Sequence, residues 1–128
     1  MPIGLYRDEE TLQAVEYFVK LPSDIADRDV IVLDDEIARG TTLIELLAEL
    51  REHRVKSVRI ACTHGLFADG ALDRIAAAPE VTEIVCTNTV PPPEPGTTGK
   101  LTVLSIAPAL AEAIRRIHLG ESVSALFG

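Results

Sequence analysis

The sequence has no tryptophan, one methionine and only two cysteines among its 128 residues, and aromatic residues make up 4% of it. It is also short of cations, because 12 lysine and arginine residues stand against 20 aspartate and glutamate residues, for a formal charge of −8. The shortage argues against nonspecific binding of nucleic acid or of an anionic membrane, since both need a basic surface. It does not exclude one small anion, because a local field can oppose the net charge.

Long hydrophobic runs are absent as well. The sequence shows no secretory signal and no apolar stretch of about 18 residues, so we expect a cytoplasmic protein. Cys62 and Cys86 lie in apolar, strand-like runs, which predicts reduced, buried thiols rather than a disulfide framework or a metal site. The length fits one folded domain, and the hydrophobic fraction of 47% fits an α/β protein packed with aliphatic side chains.

Two patterns meet near residue 30. Residues 3–21 read as two short strands around the acidic tip at residues 8–11, which predicts a hairpin-like flap. We therefore divide the chain into a flap and linker at residues 1–29 and an α/β domain at residues 30–128, together forming one folded unit.

Strands and helices alternate after residue 30. Strands are predicted at residues 30–33, 58–62, 81–86 and 101–104. The first helix follows a capping box of Thr42 and Glu45, and a second runs over residues 69–78 with Asp69 as its cap. The last helix begins at Pro108 and stops at Gly120, and it is expected to turn Leu110, Ile114 and Ile117 inward. This order predicts a parallel sheet covered on both faces, with ligands at the carboxyl ends of the strands.

The most informative segment is IVLDDEIARGTT, residues 31–42. An apolar strand stops at Asp34 and Asp35, and a short loop containing Gly40 leads into a helix that starts with Thr41 and Thr42. Backbone N–H groups of such a loop, together with the helix dipole, can hold a phosphate. Carboxylates at the strand end can accept hydrogen bonds from sugar hydroxyls or hold hydrated Mg²⁺. The segment predicts a site for a phosphorylated sugar.

Two family resemblances follow from the motifs. The stretches LDDEIARGTT, CTHGLFADGALDRI, TNTV, LTVLSIAP and AEAIRRIHLGESVSALF resemble the C-terminal domain of ribose-phosphate pyrophosphokinase over residues 30–128. Residues 3–31, IGLYRDEETLQAVEYFVKLPSDIADRDVI, resemble the flap of uracil phosphoribosyltransferase. The resemblance implies a truncated three-layer, phosphoribosyltransferase-like α/β fold with a parallel sheet and an N-terminal β-hairpin. Two resemblances in one chain suggest a chimera.

The resemblance also implies roles for residues. Asp34 and Asp35 would contact the ribose hydroxyls and, through water, Mg²⁺. The sugar phosphate would be held by the loop residues Ala38, Arg39, Gly40, Thr41 and Thr42. The family loop reads aspartate-threonine-glycine-glycine-threonine, from which this sequence departs at positions 38, 39 and 41. Thr41 predicts strain if the backbone there needs a positive φ. Arg39 either clamps the phosphate or fills its pocket.

Four further residues are candidates for the vicinity of the site. His64, Thr87 and Asn88 follow predicted strand ends, and Arg7 lies in the tip of the flap. Each also has a structural interpretation. His64 is typical of a structural or subunit contact, Thr87 and Asn88 of a polar turn, and Arg7 of a solvated hairpin loop.

The sequence favours a phosphoribosyltransferase-type domain of nucleotide biosynthesis that binds ribose 5-phosphate or phosphoribosyl pyrophosphate with Mg²⁺. We expect it to be catalytically incomplete, because no stretch resembles the pyrophosphate loop or the basic catalytic loop of these families, and we assign no catalytic residue. The expected partners are a sugar phosphate or phosphate ion and further copies of the chain, with no nucleic acid and no membrane. The alternatives are a non-catalytic, self-associating chimeric module and one half of an enzyme completed by a partner chain.

Overall fold

The computed structural model describes Leu21, residues 24–93 and residues 98–128. Strands and helices alternate through most of this part of the chain. The strands are β1 (Asp29–Ile37), β2 (Ser57–Gly65), β3 (Val81–Thr87) and β4 (Leu101–Leu104). The helices are α1 (Thr41–Glu52), α2 (Ala71–Ala76) and α3 (Ala107–Leu119), with single 3-10 turns at Ala68–Gly70 and Ser124–Phe127.

The four strands form one parallel sheet in the order β1-β2-β3-β4. Residue pairs such as Leu33 and Ala61 set the register of β1 on β2, and Cys62 and Cys86 are paired in β2 and β3. The parallel order places the carboxyl ends of all the strands at one edge. The predicted phosphoribosyltransferase-like α/β fold is confirmed. The predicted N-terminal hairpin lies outside the described residues.

One face of the sheet packs against α1 and α2. Alternate residues of β2 and β3, including Ile60 and Ile84, are buried with Leu47 of α1 and Ile75 of α2 in one apolar cluster. On the opposite face, Ile31 and Leu33 of β1 are 67% and 76% exposed, so the prediction that both faces are covered is wrong for this strand. Cys62 and Cys86 lie in the buried cluster as free thiols, which confirms the prediction for the cysteines.

The predicted helix caps are wrong. Helix α1 begins at Thr41, one residue before the predicted cap, and its N-cap is Gly40 in the left-handed conformation with φ 69°. Thr42 therefore lies inside the helix, and no side chain caps the first turn. Likewise Gly70, with φ 72°, and not Asp69, is the N-cap of α2. The positive φ required at both positions favours glycine over the side-chain caps that the spacing indicated.

Helix α3 ends at Gly120 as predicted, with φ 70° at that residue. The expectation that its apolar stripe points inward is wrong for the described part of the chain, where Leu110, Ile114 and Ile117 are 54%, 67% and 68% exposed. Periodicity defines an apolar stripe on a helix, but it does not say which surface covers that stripe. None of the helices in the described ranges combines the length and apolar character needed to cross a membrane.

Candidate functional site

A cavity of about 370 Å³ opens at the carboxyl end of β1. It is lined by Asp34, Glu36, Ile37, Ala38, Arg39, Gly40, Thr41, Thr42 and Leu43. All five residues of the predicted phosphate loop and the first of the two predicted acids are therefore brought to one cavity. The cavity lies between the carboxyl end of β1 and the first turn of α1, which is the position expected for a ligand in a parallel α/β sheet.

The loop between β1 and α1 needs a glycine at one position only. A Cβ atom at Gly40 would lie 3.0 Å from Cδ1 of Ile75, and its φ of 69° is left-handed. The non-glycine residues with positive φ in the described chain are Asp27, Arg54, Phe67 and Asp69. Thr41 is not among them, so the strain considered for this residue does not occur. The departures at positions 38, 39 and 41 are compatible with the backbone of the loop.

The carbonyl groups of this loop are held by a neighbouring turn, residues 66–70, which we call the support turn. The N–H groups of Leu66 and Phe67 both donate to the carbonyl of Ile37 at 3.0 Å, and the N–H of Ala68 donates to the carbonyl of Ala38 at 2.9 Å. The next carbonyl is held by α2, because Nη2 of Arg74 donates to the oxygen of Arg39 at 2.8 Å. The carbonyls of three successive residues, 37–39, thus point to the side of the loop where the support turn and α2 lie.

This arrangement orients the N–H groups of the loop. In a trans peptide the C=O of one residue and the N–H of the next point in opposite directions, and no cis bond occurs in the described ranges. The N–H groups of Ala38, Arg39 and Gly40 therefore point away from the support turn. Within the described residues no protein group accepts a hydrogen bond from them. Consecutive N–H groups aimed to one side form a concavity suited to an anion.

The first turn of α1 adds to this concavity. The first bond of the helical ladder runs from the N–H of Ile44 to the carbonyl of Gly40 at 2.9 Å. The N–H groups of Thr41, Thr42 and Leu43 precede that ladder, and no side-chain cap serves the turn. Helix α3 also has no side-chain N-cap, but two N–H groups at its start are bonded to side chains: Asn88 Oδ1 accepts from the N–H of Ile106 at 2.9 Å, and Ser105 Oγ accepts from that of Ala107 at 3.2 Å.

The acids of the site are Asp34 and Glu36, which both line the cavity, whereas Asp35 is not among the lining residues. Burial, followed by a side-chain hydrogen bond with Asp35, raises the pKa of Asp34 above its ordinary value. The N–H of Asp35 donates to Asp34 Oδ1 at 2.8 Å, which opposes this rise. Burial thus makes ionisation of Asp34 less favourable than in water, and a nearby cation or hydrogen-bond donor would offset that cost.

Arg39 brings a positive charge to the cavity. Its Nε lies 3.3 Å from Oδ2 of Asp69 on the support turn, and the two side chains are 78% and 69% exposed. The guanidinium is therefore held outward by an exposed ion pair. Of the two alternatives considered for Arg39, this position disfavours a side chain that fills the cavity.

Three of the other predicted residues, His64, Thr87 and Asn88, lie outside the cavity lining. His64 Nδ1 is 2.7 Å from Thr89 Oγ1, and Thr87 Oγ1 donates to the carbonyl of Thr63 at 2.7 Å. Asn88 is bonded to the start of α3 as described above. These groups tie the ends of β2, β3 and β4 together. Arg7 lies outside the described residues.

Sequence reasoning missed Glu36, Asp69 and Arg74. The period of two along β1 was a signal for Glu36, because it lies on the same side of the strand as Asp34. Asp69 and Arg74 are 30 and more residues away from Arg39 in sequence, and no motif linked them to the loop.

The carboxylates at the end of β1 are the donors available for Mg²⁺. The described residues contain no group of three or more histidine, cysteine, aspartate or glutamate side chains that could enclose a metal ion. Mg²⁺ is usually held by one or two carboxylates, with water and substrate phosphate oxygens completing its shell. Asp34, with its neighbouring acids, fits such an open site.

Comparisons with known proteins agree with this fold. The chain is 68% identical over 104 residues to a putative ribose-phosphate pyrophosphokinase of Streptomyces coelicolor, covering 81% of the chain and 33% of that relative. It is 43% identical over 82 residues to the uracil phosphoribosyltransferase of Staphylococcus saprophyticus, covering 64% of the chain and 38% of the relative. The crystal structure of phosphoribosylpyrophosphate synthetase from Mycobacterium smegmatis matches with a TM-score of 0.70 and 40% identity, over 76% of this chain and 32% of that one.

The fold and these relatives define a domain of the phosphoribosyltransferase type. The sequence model described as uracil phosphoribosyltransferase matches residues 1–90, and the chain belongs to that family. The predicted resemblance to both families is confirmed, and the match to the family model continues past the acidic pair to the end of β3. The chain spans about a third of the length of the relatives that it matches.

Proposed function

We propose that this chain binds the phosphate of a phosphorylated ribose, ribose 5-phosphate or phosphoribosyl pyrophosphate, at the β1–α1 loop, with Mg²⁺ held at Asp34 and Asp35. The observation that carries the proposal is the orientation of the carbonyls of residues 37–39. They point away from the cavity, toward the support turn and α2, and so leave the following N–H groups free for an anion. The open first turn of α1 adds three more donors and the positive end of the helix dipole.

Binding without turnover is the activity that we propose for the chain by itself. The described side chains that line the cavity include no histidine, lysine or cysteine, so they offer no evident general acid or base besides the carboxylates. Mg²⁺, when bound, would neutralise charge on the ligand. Asp34 would hold it and orient the sugar hydroxyls, with Asp35 and Glu36 next to it in the strand.

The proposal is tested by calorimetry and thermal unfolding with ribose 5-phosphate, phosphoribosyl pyrophosphate and inorganic phosphate, each with and without Mg²⁺. Ribose is the control that lacks the phosphate. We expect dissociation constants of about 1 mM or tighter for the phosphorylated ligands, and a higher Tm in their presence. Absence of binding by all three ligands at tenfold higher concentration would overturn the proposal.

A substitution at Thr42 separates binding from folding. In Thr42→Asp a carboxylate enters the first turn of α1, where it favours the helix through the dipole but repels a phosphate. We expect an unchanged or higher Tm without ligand and loss of phosphate binding. The matched control, Thr42→Asn, has nearly the same shape without the charge and should bind almost as the native chain does. Retained phosphate binding in Thr42→Asp would place the ligand elsewhere.

A second candidate function is that of a non-catalytic module, natural or chimeric, that associates with copies of itself. The exposed apolar residues Ile31 and Leu33 on the sheet, and the exposed stripe of α3, favour this alternative. Light scattering after gel filtration, over a hundredfold range of concentration, measures the association. A monomer at all concentrations would exclude it, and a dimer that binds no phosphorylated ligand would favour it over the first proposal.

A further inference from the structure

The ion pair between Arg39 and Asp69 joins the candidate site to the support turn. Arg39 lines the cavity, whereas Asp69 is not among the lining residues, and their charged atoms are 3.3 Å apart. Asp69 therefore holds a charged group of the site from a position outside it.

The charges that line the cavity make this ion pair important for the affinity of the site for a phosphate. Among the lining side chains that the structure describes, Asp34 and Glu36 are acidic and Arg39 alone is basic. A phosphate that enters the cavity meets the carboxylates of Asp34 and Glu36. The guanidinium of Arg39, which could attract the phosphate, is already paired with a third carboxylate, that of Asp69. Because opposite charges at close range favour the charged ligand and like charges disfavour it, the position of the Arg39 guanidinium bears directly on affinity.

The backbone at Asp69 is held by the support turn, although the side chains of Asp69 and Arg39 are both exposed, by 69% and 78%. Asp69 has a left-handed backbone with φ 55°, within a support turn whose preceding residues donate to the carbonyls of Ile37 and Ala38. Arg39 has a long, flexible side chain that is 78% exposed. An exposed ion pair of this kind contributes little net stability, so its exchange for another anion costs little.

We propose that Asp69 competes with the bound phosphate for Arg39, so that ligand binding exchanges one ion pair for another and Asp69 lowers the affinity of the site. This inference rests on the proposed function, because it assigns a regulator to the same phosphate site. Asp69 acts as a positioning residue for Arg39. Once Arg39 is released from Asp69, its guanidinium contacts the phosphate.

The test measures the affinity for inorganic phosphate and for ribose 5-phosphate in four proteins: the native chain, Asp69→Asn, Arg39→Gln and the double variant. Asparagine keeps the shape of the side chain and tolerates the left-handed backbone, so the support turn is retained. We expect Asp69→Asn to bind phosphate about two- to fivefold more tightly than the native chain, the range expected from an exposed ion pair. In the Arg39→Gln background the same change should have almost no effect.

Two controls make the outcome specific. Asp73→Asn also removes one negative charge from this region, in the first turn of α2, and it should leave the affinity nearly unchanged. The NMR signal of the Arg39 Nε–H reports directly on its partner, and it should shift on addition of phosphate to the native chain.

Three results would overturn the inference. An equal gain in the native and Arg39→Gln backgrounds would show that Asp69 acts only through its charge on the ligand. Weaker or unchanged binding by Asp69→Asn would show that the pair is purely structural. If none of the four proteins binds either ligand, the proposed function fails together with the inference. Binding by the native chain with no effect of Asp69→Asn leaves the proposed function intact.

Discussion

Arg74 on α2 donates a hydrogen bond of 2.8 Å from Nη2 to the main-chain oxygen of Arg39, which lies 35 residues earlier in the chain. This contact holds the last of three carbonyls that point away from the cavity. The direction of the Gly40 N–H therefore depends on a side chain from another helix, because the peptide group between residues 39 and 40 is planar.

Replacement of Arg74 by glutamine should weaken phosphate binding. We expect a loss of about three- to tenfold in affinity, because the released peptide group can rotate and remove one N–H donor from the ligand. Calorimetry with inorganic phosphate measures it. Arg51→Gln is the control, since it removes a comparable contact with Glu80 at 3.1 Å and leaves the loop unchanged. Equal losses in both variants would contradict this role of Arg74.

Alanine at Gly40 should destabilise the protein more than alanine at Gly70. Both glycines have left-handed backbones with φ near 70°, but only Gly40 would place a Cβ within 3.0 Å of Ile75, while Gly70 has open space around it. We expect Gly70→Ala to cost about 1 kcal/mol through backbone strain, and Gly40→Ala about 1–3 kcal/mol more through overpacking. Urea unfolding measures both. Equal costs would show that the approach to Ile75 is relieved without penalty.

Asparagine at Asp34 should stabilise the chain in the absence of Mg²⁺. The pKa of Asp34 is raised in the fold, so its ionisation opposes folding above that pKa and has no effect well below the ordinary value of 3.8. We expect Asp34→Asn to be more stable than the native chain at pH 7 and equally stable at pH 2.5. Urea unfolding at the two pH values tests this. A loss of stability at pH 7 would contradict it, and added Mg²⁺ should raise the Tm of the native chain only.

Helix α3 should lose an interaction in acid. Hydrogen bonds from Arg115 and Arg116 lower the pKa of Glu112 to about 2. A depressed pKa stabilises the fold above the ordinary pKa of 4.5, and the contribution is lost as the pH falls from there toward 2. Glu112→Gln should abolish this part of the pH dependence of helicity, measured by circular dichroism. Glu45→Gln on α1 is the control, and an identical effect of the two changes would exclude the proposed origin.

The two thiols should be unreactive while the protein is folded. Burial, followed by the neighbouring Cys86, raises the pKa of the Cys62 thiol to about 11, so about one molecule in a thousand carries the thiolate at pH 8. Burial also raises the pKa of Cys86, which is 1% exposed. Mass spectrometry after treatment with iodoacetamide should find both alkylated only in denaturant. Labelling of either residue within minutes in buffer would contradict the buried positions.

The sequence predicted the order of strands and helices because each signal is local. The apolar runs at residues 30–33, 58–62 and 81–86 lie within β1, β2 and β3, and Gly120 ends α3 as expected. The caps of α1 and α2 were wrong because a capping box depends on spacing, whereas the observed glycine caps depend on how the loop enters the helix. The predicted direction of the α3 stripe was wrong for a related reason. The stripe follows from neighbouring residues in sequence, whereas the surface that would cover it comes from elsewhere in the fold.

The site divides in the same way. The sequence by itself determined that an acidic strand end, a short loop and the start of a helix adjoin, because these residues are consecutive in IVLDDEIARGTT. Only the tertiary structure decided which way the loop carbonyls point and which carboxylate holds Arg39. Those features come from the support turn, Asp69 and Arg74, which fold against the loop from about 30 residues away. Peptide orientation is set by the groups that accept or donate hydrogen bonds in space, and sequence order does not record them.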